Sequence, residues 1–257
     1  MLRVSWVLSV LLGLSACAQQ PSASVQEPRT PVDASEVERR AAMRIELAGG
    51  YLQRGQFNVA LDEVKQALAL KPDTREGLNL RALILAAMGE LAAADETFRR
   101  TLTLYPQDPD TLHNMGWVAC QQKLWSRATE KFDEALRQST YRAPARTWLA
   151  KGVCEARADH VKAAEASLMR AFELDPSNPT VSFSLADVFF RTQQWERARF
   201  QTARVNGQAA TASSLWLAAK IEHRLGNRPG VTEWGQRLLR EFPQSSEADA
   251  FREGRFE

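Results

Sequence analysis

Small residues recur along this chain at one spacing, and few folds are compatible with that. Ala60, Ala94, Ala128, Ala164, Ala198 and Val231 follow one another at intervals of 34, 34, 36, 34 and 33 residues. Twelve residues before each mark stands another small residue: Ala48, Ala82, Gly116, Gly152, Ala186 and Ala219. Four residues after the marks come Val64, Phe98, Phe132, Leu168, Thr202 and Gly235, the first four of which supply a bulky knob. Between the marks the chain reads as stretches rich in Ala, Leu, Arg, Glu and Gln with no sustained two-residue alternation, so helices are expected throughout and no strand is needed.

A period near 34 residues with two helices per unit is that of the tetratricopeptide repeat. The fold class expected is therefore all-α: a right-handed α-solenoid of about six tetratricopeptide hairpins over residues 36–243, followed by a helical tail at 244–257. Pro72, Pro106, Pro176 and Pro243 close four units, where proline cannot continue the second helix, and Gly55, Gly89 and Gly226 fall in turns inside hairpins. Repeat three ends at Thr140 without a proline and carries two extra residues around Tyr141 to Pro144, so an irregular step is expected there. Repeats five and six are degenerate, with Thr202, Val205 and Ala210 in one and Val231 and Gly235 in the other. Hydrophobic residues make up 44% of the chain, enough for each hairpin to bury its apolar face against its neighbours.

Ahead of the repeats, residues 1–16 read as an export signal, with Arg3 as the only charge and an apolar stretch from Val4 to Leu14. Leu14-Ser15-Ala16-Cys17 resembles the bacterial lipobox, which implies acylation of Cys17 and cleavage just before it. An ordinary secretory signal with an incidental cysteine is the alternative. The N-terminal diacylglycerol and N-acyl groups on Cys17 are the only prosthetic chemistry expected, and several acyl chains anchor more firmly than one. Ala18 stands where an aspartate would retain such lipoproteins in the inner membrane, so the periplasmic face of the outer membrane is favoured. Residues 17–35, with Pro21, Pro28 and Pro31 among Gln, Ser and Thr, read as a tether with a reach of roughly 20 to 25 Å.

Signals for catalysis are missing. His113, His160 and His223 are far apart with no partner at metal-ligand spacing, and no nucleophile elbow or phosphate-cradling glycine loop occurs. Neither an enzyme nor a metal site is expected. A formal charge of +2 spread along the chain gives no footprint for nucleic acid. Cys120 and Cys154 lie on first helices of adjacent hairpins. They could bridge, but two small packed side chains are the favoured reading, because neighbouring helices usually pack about 8 to 10 Å apart and a bridge needs Cα atoms within about 7 Å.

In such a solenoid the first helices line the inner curve, and their second, fifth, ninth and twelfth positions point into it. That register puts Ile45, Leu52, Asn79, Leu83, His113, Trp117, Leu149, Val153, Phe183, Asp187, Phe190, Trp216 and Lys220 on a mostly apolar groove. The groove is expected to receive an amphipathic helix or an extended apolar peptide, unless a turn of the superhelix or the linker covers it.

Several segments resemble one family more specifically: LAGGYLQRG at Leu47 to Gly55, the stretch Leu112 to Phe132, the Tyr141 insertion, LADVFFRTQQWERA at Leu185 to Ala198, Ser214 to Leu225, and Gln236 to Pro243. With six hairpins behind a lipobox, these resemble the type IV pilus biogenesis and stability lipoproteins, the PilF/PilW family, over essentially the whole mature chain. The resemblance implies a non-enzymatic pilotin that assembles the outer-membrane secretin, or a factor that stabilises the pilus; a monomer is expected, although the sequence leaves the oligomeric state open. A repeat scaffold for β-barrel assembly or for peptidoglycan enzymes, and an envelope enzyme using Cys120 or Cys154, are the competing readings.

Overall fold

The computed structural model describes residues 31–256, with side chains from Ser35 onward; the expected export signal at 1–16, the expected acylation site Cys17 and the part of the expected tether up to residue 30 lie outside the described residues. Thirteen helices and no strand are found among the described residues. Twelve form six hairpins: α1 (Pro31–Gln53) with α2 (Phe57–Leu70), α3 (Arg75–Ala87) with α4 (Leu91–Leu104), α5 (Pro109–Gln121) with α6 (Trp125–Leu136), α7 (Pro144–Arg157) with α8 (Val161–Leu174), α9 (Pro179–Arg191) with α10 (Trp195–Gln208), and α11 (Ala212–Arg224) with α12 (Arg228–Glu241). α13 (Ser246–Arg252) ends the chain. This is the all-α tetratricopeptide solenoid.

Local chemistry fixes the helix ends. Prolines open α5, α7, α9 and α12 in the first turn, where an N–H would be unpaired anyway. Asp108, Asn178, Thr211, Asn227 and Ser245 accept from backbone N–H groups of the turn that follows. The turn inside every hairpin needs one residue at positive φ. It is glycine at 55, 89 and 226, but Lys123, Asp159 and Gln193 in the other three, each costing about 1 kcal/mol.

The repeat positions form the core. Ala48, Ala82, Ala186 and Ala219 on the first helices and Ala60, Ala94, Ala128, Ala164 and Ala198 on the second are all but fully buried. Their smallness is enforced by contact. A Cβ at Gly116 would come within 2.7 Å of the Phe132 ring, and one at Gly152 within 2.6 Å of Leu168. First helices of successive hairpins approach one another, as α3 does α5 and α5 does α7, while second helices of successive hairpins do not. The first helices therefore form the inner edge of the arc.

Two expectations are corrected and a third is refined. First, α1 begins at Pro31, inside the segment read as tether, because proline is well suited to the first position of a helix. Second, Cys120 and Cys154 are joined by a disulfide, with Cα atoms 5.8 Å apart. The expectation compared helix axes, about 8 to 10 Å apart, whereas the Cα atoms of two residues that face each other across α5 and α7 lie closer than the axes do. The insertion before α7 forms a linker over residues 137–143, pinned by the Tyr141 hydroxyl at 2.6 Å from Thr147 Oγ1. Third, the helical tail is present as expected but is placed like the start of a further unit. Ser246 lies one period beyond Ala212, Ser213 Oγ donates to Glu247 Oε1 at 2.5 Å, and Phe251 takes the space above Gly235, where even a Cβ would strike its ring.

Candidate functional site: the concave face

First-helix side chains at the ninth and twelfth repeat positions line the inner face. Leu52, Leu83, Trp117, Val153, Asp187, Phe190 and Lys220 are all partly exposed there. Side chains at the fifth position lean instead toward the next first helix. Ile45, Leu149 and Phe183 stay partly exposed, but Asn79, His113 and Trp216 are buried, and for these three the assignment to an open groove is corrected.

The reason is pairing across repeats. Asn79 Nδ2 donates to Thr111 Oγ1 at 2.9 Å, and Thr111 in turn donates to Asp108 Oδ2 at 2.7 Å. His113 Nδ1 lies 2.8 Å from Thr147 Oγ1, one period on. Burial, with a smaller push from the Arg146 guanidinium, lowers His113 to about 3, so the imidazole is neutral and serves as a hydrogen-bonding strut. Trp216 is covered by the tail: its ring centroid is 6.2 Å from that of Phe251 and 5.0 Å from that of Phe256.

Leu52, Leu83 and Trp117 converge on one cleft of about 560 Å³ across hairpins one to three, completed by Ala86, Ala87, Leu91, Asn114, Val118, Gln121 and Gln122. No charged side chain lines it. Val153, Phe183 and Asp187 meet in a smaller recess of about 260 Å³ with Ala156, Arg157, Ser184 and Arg191. The sequence register missed Arg157, whose guanidinium lies 5.5 Å from the centroid of Trp117, and Phe256, which stacks on His223 at 4.5 Å. Both are contacts between repeats, which a register counted within one repeat does not carry. Among the described residues no group of three or more His, Cys, Asp or Glu could hold a metal ion, and no helix is long and apolar enough to cross a membrane. An apolar cleft of this shape is suited to receiving side chains.

The tetratricopeptide repeat profile matches residues 45–109 and 156–211. The type IV pilus assembly protein PilF of Pseudomonas aeruginosa is 25% identical over 250 residues, 97% of each chain. The crystal structure of PilW, described as a widely conserved type IV pilus biogenesis factor, superposes with a TM-score of 0.72 at 27% identity, covering 82% of this chain and 97% of that one. The solved Pseudomonas aeruginosa PilF structure has the same fold, with a TM-score of 0.71 at 23% identity over 85% of this chain and 99% of that one.

Proposed function

From its homology to the type IV pilus proteins PilF and PilW, we propose that this chain is a non-enzymatic lipoprotein of type IV pilus biogenesis. It acts as pilotin for the outer-membrane secretin, or stabilises the pilus, by holding an apolar helix or peptide of its partner in the concave cleft. The observation that carries this is the end-to-end match to PilF, over 97% of both chains, which generic repeat similarity does not produce.

The physics suits the role. Acyl chains on Cys17 supply the destination at the outer membrane, and the cleft around Leu83 and Trp117 supplies the contact with the cargo. With anchor and cleft on one chain, the partner is held at high local concentration beside the membrane.

Heat- and SDS-resistant secretin multimer, compared between strains with and without the gene, tests it. A strain lacking the gene is expected to keep secretin monomer and lose multimer, and a Leu83→Glu, Trp117→Glu variant to behave like the deletion. Intact multimer with few pili moves the role to pilus stability. Intact multimer with normal pili removes the pilus reading in favour of an envelope scaffold.

A further inference from the structure

The concave face differs in charge from one end to the other. No charged side chain lines the cleft of hairpins one to three, although Arg157 of α7 reaches the Trp117 ring at its margin. Three hairpins on, Lys220 of α11 holds its ammonium 5.1 Å from the Phe190 ring and 5.9 Å from the Trp216 ring. Lys220 forms no ion pair among the described residues, and neither do Arg224, one turn further along α11, or Arg157 over Trp117. The acid whose charge Lys220 feels is Asp187, which lies 3.9 Å from Arg191 and is half exposed. Half-burial between aromatic rings lowers the Lys220 pKa, with a partial offset from the Asp187 carboxylate and a further push down from Arg224. Beyond Lys220 the face is closed, because Phe256 lies on Trp216 and His223.

We propose that the groove takes a polarised segment of its protein partner, with apolar side chains seated at Leu52, Leu83 and Trp117 and one or more carboxylates meeting Lys220 and Arg224. This rests on the reading of the concave face as the partner site and adds the partner's chemistry. Charge complementarity selects the occupant. A neutral apolar segment leaves Lys220 and Arg224 unpaired under it, and a basic one places like charges together at a cost. From Trp117 on α5 to Lys220 on α11 is three first-helix steps, about 27 Å at about 9 Å per helix. An extended segment spans that distance with about eight residues.

Fluorescence anisotropy of the full-length lipoprotein in detergent, with labelled 14-residue peptides, tests this. The peptides share an apolar half of Leu and Phe and end in three Glu, three Gln or three Lys. The Glu peptide is expected to bind about tenfold tighter than the Gln peptide at low salt, a difference of about 1.4 kcal/mol. A Lys220→Gln, Arg224→Gln variant is expected to erase that difference while leaving the Gln peptide unchanged, and Arg170→Gln, on the second helix α8, to leave it intact. Equal binding of the Glu and Gln peptides, or preference for the Lys peptide, overturns the proposal while leaving the cleft as the partner site. Binding that survives Leu83→Glu, Trp117→Glu overturns the cleft itself.

Discussion

In hairpins one to four the second helix carries a bulky apolar knob, Val64, Phe98, Phe132 or Leu168, whereas hairpins five and six place Thr202 and Gly235 there. The packing is no looser for it. Thr202 is 2% exposed and returns its hydroxyl to the Ala198 and Arg199 carbonyls, and Leu217 and Ile221 from α11 join Leu185, Phe189 and Ala198 in one buried cluster. At Gly235 the missing side chain is replaced from outside the repeat, by Phe251 of α13. Glu222, buried near the same end, is held by two bonds from Arg199 and one from Asn227. A knob is thus a volume to be filled, and the residue that fills it need not come from the repeat that leaves it empty. The regular half has its own departure, since its irregular step between α6 and α7 is where the disulfide lies.

If the two halves are secured by different devices, removing each device should act locally. The largest effect is expected from Cys120→Ser with Cys154→Ser. Releasing a 34-residue loop costs about 4 kcal/mol on chain entropy alone, and hydrogen exchange should rise in α5 to α7 ahead of α9 to α12. A uniform rise would show one cooperative unit and dissolve the comparison. Next comes Phe251→Ala, expected to cost about 3 kcal/mol in denaturant unfolding and to red-shift tryptophan emission as Trp216 loses its cover. The smallest effect is the sharpest. Gly235→Ala should destabilise by about 1 kcal/mol in the natural background, yet stabilise by a similar amount once Phe251 is Ala, because the alanine helix preference then acts without the clash.

The hairpins were legible because close approach leaves no choice of residue: whatever else varies, Ala or Gly must stand at 48, 82, 116, 152, 186 and 219. Much of the inner face was legible for the same reason, and Leu52, Leu83 and Trp117 do meet in one cleft. Side chains at the fifth position were not. Whether His113 faces water or Thr147 depends on where the next first helix lies, which is set by the superhelix and not by the repeat. The disulfide escaped for a related reason. Cys120 follows Gly116 by four residues and Cys154 follows Gly152 by two, so a register counted within each repeat does not place them opposite one another. The tail read as an appendage because its seven-residue helix is too short to show a period, although Phe251 supplies what Gly235 lacks.

The inner edge, where first helices touch and second helices do not, also sets how the arc can deform. Curvature changes pivot on that edge, opening or closing the outer rim as a fan opens on its pin. The sulfur link between α5 and α7 lies at the pin, where such a motion produces almost no displacement, so it leaves bending free. Sliding or twisting one blade past the next would pull its two ends apart. The link therefore holds α5 and α7 level with one another, and it fixes the register of the inner face at the middle of the molecule.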